Sequence, residues 1–299
     1  MRLLPGAVFV VIVLMASSIS SASAVGVAHP TSLASRGGTL IPPPHVVQYV
    51  VLVHGYDPTT VPAWTVWTYG VNLEGQLVAA GYQVIVVSYY GEFTLAFSDG
   101  RVYVDPTFFG TTYTPIEKIG LELAKGLQAT IGYSFATVDL VGHSMGGLVV
   151  MYMMEHSLLR GVTVRNVVFL GSPLGGAPSS AWSGFYNTTG YQMSEMWTGS
   201  AFLASLNASA SKARANYPHA EWLAYAGEAD PTWSATYFQY HANDGLVAAN
   251  EVSALGDNHF YAFPDLHIPS LDVYDPGHVS YFEDPAVAAE MRANFAGTY

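Results

Sequence analysis

The sequence VDLVGHSMGGLVV, from Val138 to Val150, joins one apolar run to another through a glycine-rich turn that carries Ser144. This pattern predicts a β-strand, a sharp turn and an α-helix. Gly142 and Gly146 leave room where the strand and the helix come closest. A serine hydroxyl is a weak nucleophile unless such a turn presents it to a base and to a substrate. We therefore predict that Ser144 is a nucleophile.

The alternative is a chance G-x-S-x-G match, because the chain contains 29 glycines. The sequence around the match favours the nucleophile, since apolar residues follow at helical spacing, at Leu148, Val149, Tyr152 and Met153. The turn also places the Met145 amide at a helix N-terminus, where it can stabilise the negative charge that develops in acyl transfer.

Four other segments accompany this turn: VLVHG at Val51–Gly55, GSP at Gly171–Pro173, NDGLV at Asn243–Val247 and PGH at Pro276–His278. Together with the Ser144 turn, they make residues 46–296 resemble the lipase branch of the α/β-hydrolase family. The alternation of strands and helices independently predicts an α/β fold with a mostly parallel central sheet flanked by helices. The resemblance adds a triad in the order serine, acid, histidine.

Asp244 is the acid that the resemblance implies, because it lies in the NDGLV segment. Turn chemistry alone does not separate it from Asp230, which also follows a predicted strand closely. The role of the acid would be to accept a hydrogen bond from the base and to stabilise its imidazolium form.

His278 is the expected base, with His259 and His267 as competitors among ten histidines. It lies on a turn after the apolar stretch 271–274, shortly before a predicted helix. His267 lies between prolines in a stretch with no clear element, which is why we favour His278.

The oxyanion hole is expected to use two backbone amides. One is that of Met145, and the other, by resemblance to His-Gly lipases, is that of Tyr56, directly after Gly55. No metal or cofactor is expected, because the sequence carries no HExxH, no EF-hand loop, no Cys/His cluster and no dinucleotide-binding fingerprint. Some related lipases hold a structural calcium, but the spacing of the acidic residues here singles out no site.

The first 24 residues are predicted to be a signal peptide. Arg2 precedes an apolar run of about 13 residues, too short for the ~20 that span a bilayer, and Ala22-Ser23-Ala24 fits a cleavage site. Residues 25–45 are predicted to be an N-terminal arm, and residues 46–299 one catalytic domain. We therefore expect a secreted protein without a transmembrane segment in its mature form.

Two irregular regions interrupt the predicted domain. Residues 91–115 alternate apolar and polar positions around Ser98-Asp99-Gly100, which predicts a β-hairpin insertion. Residues 174–216 carry many large apolar side chains without a strand pattern, which favours a cap or lid over an acyl pocket. The hairpin is expected either to border the substrate cleft, since loops at the carboxyl ends of strands build such sites, or to take no part in the site. For residues 174–216, the alternative to a lid is an ordinary packed subdomain.

The formal charge of −12, from 10 basic and 22 acidic residues, disfavours nucleic acid as a partner. We expect a monomer that acts on hydrophobic esters, in solution or at a lipid interface. The sequence thus predicts a secreted serine carboxylic-ester hydrolase, a lipase or esterase, that works through an acyl-enzyme. The alternatives are an acyltransferase with the same triad and a non-catalytic binding protein on this fold.

Overall fold

A computed structural model describes residues 47–56, 63–178, 190–231, 234, 238, 241–253, 259–271, 275 and 277–297. The predicted signal peptide, 1–24, and the predicted arm, 25–45, lie outside these residues. No helix in the described part of the chain combines the length and the apolar character needed to cross a bilayer.

Eight strands form one sheet in the order β4-β3-β2-β1-β5-β6-β7-β8. Neighbouring strands are parallel except on either side of β3, which runs opposite to β2 and β4. The strands are β1 Gln48–Val53, β2 Gln83–Ser88, β3 Gly91–Phe97, β4 Val102–Gly110, β5 Ala136–His143, β6 Val162–Leu170, β7 Glu221–Gly227 and β8 His259–Phe263.

Seven α-helices and two short 3₁₀ helices are found among the described residues. The α-helices are α1 Leu73–Ala79, α2 Ile116–Thr130, α3 Met145–His156, α4 Tyr191–Glu195, α5 Ala201–Asn216, α6 Ala249–Val252 and α7 Pro285–Ala296. The 3₁₀ helices are Ala63–Thr68 and Pro269–Leu271.

Successive residues of the central strands point to opposite faces of the sheet. Helices cover both faces, so that each face has its own apolar core. In β1, Val51 and Val53 belong to one apolar core, together with side chains of α2, α3 and α5. Val50 and Leu52 belong to a second core, with side chains of α1 and α7. Strands buried on both faces explain the nearly continuous apolar runs in the sequence. The predicted α/β fold, a mostly parallel sheet flanked by helices, is confirmed.

The region 91–115 contains the antiparallel strands β3 and β4, joined by a turn at residues 98–101. Because β3 runs against β2, this turn returns to the amino end of the parallel strands, where Ser98 donates its backbone N–H to the carbonyl of Val84. The hairpin therefore extends one edge of the sheet.

The structure describes only two parts of the predicted cap, 174–216, because residues 179–189 lie outside the described part of the chain. Helix α5 packs against α3 and buries Phe202, Leu203 and Leu206 in the first core. It belongs to the helical layer that covers the sheet. The prediction of a lid therefore applies only to the part of this region that precedes α5, where it stays a prediction.

Candidate active site

Ser144 lies in a strained turn between β5 and α3. Its φ of 53° and ψ of −127° are unusual for a residue with a side chain. The turn is held by hydrogen bonds from the Ser144 N–H to the Leu170 carbonyl, 2.9 Å, and from the Gly147 N–H to the Ser144 carbonyl, 3.0 Å. The Ser144 side chain does not cap the helix, so its hydroxyl has no helix-stabilising role.

Glycines are required around Ser144 because backbone segments meet there. A Cβ atom on Gly146 would lie 2.2 Å from the Val53 carbonyl oxygen, and one on Gly142 would lie 2.5 Å from Gly147 Cα. A Cβ on Gly55, in the loop after β1, would lie 2.7 Å from Ser144 Cβ. The loop that carries Tyr56 therefore lies directly beside Ser144, as the predicted oxyanion hole requires.

Met145 is the first residue of α3, so its N–H lies at the start of the helix, outside the helical hydrogen-bond ladder. Tyr56 is partly buried, and its ring lies edge-on to Tyr90 with centroids 6.4 Å apart. Met145 thus follows Ser144 directly in the sequence, and Tyr56 belongs to the loop that lies beside Ser144. Their role as amide donors stays a prediction.

Asp244 is completely buried and accepts four hydrogen bonds. Its Oδ1 accepts from the N–H groups of Leu246 and Val247, at 2.9 and 2.7 Å. Its Oδ2 accepts from His267 Nδ1 at 2.7 Å and from the Tyr281 hydroxyl at 2.9 Å. Four donors hold this carboxyl group in place and offset the cost of burying its oxygens.

The competing acid, Asp230, is exposed and accepts from the backbone and side-chain N–H groups of Asn243. Asn243 in turn accepts from the Gly245 N–H. Asp230 therefore supports the turn that carries Asp244, and it is Asp244 that meets a histidine.

That histidine is His267. It is buried, it follows β8 by four residues, and its backbone N–H donates to the backbone carbonyl of Asp244 at 3.0 Å. Its ring lies 4.8 Å from the ring of His143, the residue before Ser144. His143 Nε2 lies 3.2 Å from the His267 carbonyl oxygen and must donate, because a carbonyl only accepts. The structure thus brings His267 and Asp244 to the turn that carries Ser144.

His278, the base expected from the sequence, lies elsewhere. Its side chain is about one-third exposed, and its Nδ1 lies 3.2 Å from Asp275 Oδ2. The expected hydrogen bond from His278 to Asp244 is not formed within the described residues, because the two donors on Asp244 Oδ2 are His267 and Tyr281. A role for His278 as the base stays a prediction that this arrangement does not support.

Several side chains of this site have pKa values shifted by burial. The pKa of His143 is lowered well below its usual value, mainly by burial and then by the neighbouring His267. The pKa of Tyr281 is raised well above its usual value by burial and by the Asp244 carboxylate. Both side chains therefore stay neutral at pH 7, and Tyr281 remains a donor to Asp244.

Asp265 is buried two residues before His267, and neither of its carboxylate oxygens receives a hydrogen bond from a described donor. Burial raises its pKa to about 8, and the nearby carboxyl groups of Asp284, Asp244 and Glu283 add to the shift. Among the described residues, no group of three or more His, Cys, Asp or Glu side chains is arranged to hold a metal ion.

The pKa of Asp265 predicts how stability depends on pH. A folded-state pKa of about 8, above the ordinary value of 3.8, means that the folded protein holds a proton that the unfolded chain releases between these two values. This contribution to stability is complete below pH ~4 and is lost as the pH rises to about 8. In Asp265→Asn, the melting temperature should be higher than in the wild type by roughly 2–5 °C at pH 8 and should fall less between pH 5 and 8.

Thermal unfolding followed by circular dichroism at a series of pH values measures this effect. Glu228→Gln, at an exposed carboxylate, is the matched control and should follow the wild-type curve. Equal pH dependence in Asp265→Asn and the wild type would contradict the assignment of a protonated Asp265.

Comparisons with known proteins agree with the fold described above. The sequence profile of the Alpha/beta hydrolase family matches residues 50–293. A comparison with curated proteins gives no match. The mature form of the Bacillus licheniformis lipase BlEst2 shares the fold at 18% identity and a TM-score of 0.51, over 79% of this chain and 93% of that one. The lin2722 gene product of Listeria innocua gives 18% identity and a TM-score of 0.49, over 85% and 95% of the two chains. Because the family profile matches most of its length, the chain belongs to the α/β-hydrolase family.

Proposed function

We propose that this protein is a serine carboxylic-ester hydrolase, a lipase or esterase, with Ser144 as nucleophile, His267 as general base and Asp244 as the acid that orients the base. The observation that carries the proposal is the buried hydrogen bond between His267 Nδ1 and Asp244 Oδ2 beside the strained Ser144 turn. A serine hydroxyl, a histidine and a buried carboxylate are the three groups that acyl transfer needs.

The proposed reaction has two steps. In the first, Ser144 Oγ attacks the ester carbonyl while His267 Nε2 takes the hydroxyl proton, and the same nitrogen then gives that proton to the departing alcohol. The N–H groups of Tyr56 and Met145 donate to the oxyanion. In the second step, water attacks the acyl-enzyme while His267 Nε2 takes its proton, the bond to Ser144 Oγ breaks as that oxygen receives the proton from Nε2, and the carboxylic acid leaves.

Asp244 makes His267 suitable for this role. Its Oδ2 accepts from Nδ1, which fixes the tautomer in which Nε2 can accept a proton, and its negative charge stabilises the imidazolium that then forms. Because Tyr281 and two backbone N–H groups also donate to Asp244, the carboxylate stays fixed in place through both steps.

Hydrophobic esters are the proposed substrate class. The region before α5 is rich in aromatic and methionine side chains, and the BlEst2 structure, which has the same fold, is that of a lipase. We also propose that the protein is secreted through the signal peptide 1–24 and acts as a monomer. Gel filtration of the purified protein and sequencing of its mature N-terminus test these two points.

The test of the proposed chemistry is covalent labelling. A fluorophosphonate probe should label the mature protein once, and peptide mapping should find the label on Ser144, because an activated serine attacks phosphorus as it attacks an ester carbonyl. Labelling and hydrolysis of p-nitrophenyl esters should be lost together as the probe is titrated.

Heat-unfolded protein is the control for nonspecific reaction and should remain unlabelled. Ester turnover without label on Ser144, or a folded protein that neither reacts nor turns over short- and long-chain esters with and without a lipid interface, would contradict the proposal.

A further inference from the structure

Tyr89, the first residue after β2, contacts the loop that follows β1. It is completely buried, and its hydroxyl donates to the carbonyl oxygens of His54 and Gly55, the second at 3.0 Å. Its ring stacks on the His54 ring with centroids 3.9 Å apart and planes inclined by 17°. A buried hydroxyl is therefore directed at two successive peptide groups beside Ser144, and the mechanism above does not use it.

The Gly55 carbonyl is held from two sides. His54 Nδ1 lies 2.8 Å from the same oxygen and must donate, because a carbonyl only accepts. The hydroxyl of Tyr89 has one proton to share between its two acceptors, so the His54 ring supplements it at Gly55. The peptide that joins Gly55 to Tyr56 thus has its oxygen fixed by side chains that are themselves buried and stacked.

The orientation of that peptide decides where the Tyr56 N–H points. In a trans peptide, the carbonyl oxygen and the N–H of the next residue point in opposite directions. Fixing the Gly55 oxygen against Tyr89 and His54 therefore directs the Tyr56 N–H to the other side of the peptide. Gly55 adjoins Ser144, since a Cβ atom on it would lie 2.7 Å from Ser144 Cβ.

We infer that Tyr89 is a positioning residue for the oxyanion hole: its hydroxyl holds the Gly55–Tyr56 peptide so that the Tyr56 N–H donates to the oxyanion. The inference rests on the proposed function. An oxyanion donor stabilises the transition state more than the bound ester, so an orienting residue should affect kcat much more than KM.

Tyr89→Phe removes the hydroxyl and keeps the stacked ring. Loss of one oxyanion donor costs a factor of about 10²–10³ in kcat, and loss of its orientation should cost less, on the order of tenfold, with KM within about twofold. Affinity for an alkyl boronic acid, which forms a tetrahedral adduct with an activated serine, should fall by a factor similar to that for kcat/KM.

The matched control is Tyr217→Phe. Tyr217 is also a buried tyrosine whose hydroxyl donates to a backbone carbonyl, that of Ser157 at 2.8 Å, but it lies beyond the C-terminal end of α3. This variant should keep the kcat of the wild type. His54→Leu is a second test, because it removes the other donor to the Gly55 oxygen while Tyr89 is intact, and it should also lower kcat more than KM.

The outcomes separate this inference from the proposed function. If the wild type hydrolyses esters and Tyr89→Phe, folded by circular dichroism, has the wild-type kcat and boronate affinity, Tyr89 has no positioning role. An equal loss of kcat in Tyr217→Phe would also overturn the inference, because the effect would then be one of general stability. A folded wild type without hydrolase activity would remove the proposed function, and this inference with it.

Discussion

Ser144→Ala is expected to lower ester turnover by a factor of at least about 10⁴ while leaving the protein folded. Alanine keeps the Cβ atom, so the strained backbone at φ 53° is unchanged, and the serine side chain does not cap helix α3. The change therefore removes the proposed nucleophile alone. Turnover of p-nitrophenyl esters from short to long chains, with thermal unfolding of the same samples, measures both effects.

Ser134→Ala is the matched control for this variant, because Ser134 is exposed in the turn after α2. It should have the turnover of the wild type. If Ser144→Ala hydrolysed the esters within about tenfold of the wild-type rate, a different nucleophile would carry the reaction.

His267→Asn is expected to lower kcat by about 10³-fold or more, because no atom of asparagine replaces Nε2 as a base. The side-chain amide nitrogen of the asparagine can still replace Nδ1 as a donor to Asp244. This choice keeps both donors on the buried Asp244 Oδ2, because loss of one of them would also destabilise the fold. Melting temperature and the kcat for ester hydrolysis are measured together.

His278→Ala is the comparison that decides between the two histidines. It should keep kcat within about threefold of the wild type, because His278 is partly exposed beside Asp275. The opposite result, a large loss in His278→Ala and little in His267→Asn, would identify His278 as the base and would require a rearrangement of the loop between β8 and α7.

The Ser144 turn could be predicted from sequence because its determinants are local. A strand, two glycines at close approaches and a helix follow one another within 13 residues, and each is a property of adjacent positions. Asp230 and Asp244 both lie in turn-forming sequence, so turn chemistry left the acid open and only the resemblance favoured Asp244. Its burial and its hydrogen bond to a histidine are tertiary features that support that choice.

The choice of His278 rested on the turn that follows the apolar stretch 271–274. In the structure, Pro269–Leu271 form a 3₁₀ helix, and residues 272–274 lie outside the described part of the chain. The strand that precedes His267 is β8, His259–Phe263, which is aromatic-rich and has a partly exposed face typical of a sheet edge. The end of this strand, four residues before His267, was the signal that could have placed this histidine beside Asp244.

Helix α5 was missed for a different reason. Its apolar residues Phe202, Leu203 and Leu206 have helical spacing, and Ser200 accepts from the Leu203 N–H as an N-cap. The many small polar residues of the rest of the helix hid this pattern, because they resemble a loop in composition. Packing against α3 stabilises the helix despite that composition.

The turn of the β3–β4 hairpin is a suitable site for attaching the protein to a solid support. Its turn at residues 98–101 lies at the amino end of the parallel strands, whereas Ser144 follows the carboxyl end of β5, three strands further into the sheet. A peptide tag inserted between Asp99 and Gly100, both exposed, would attach the protein to a solid support with the Ser144 side of the sheet facing the surrounding solution.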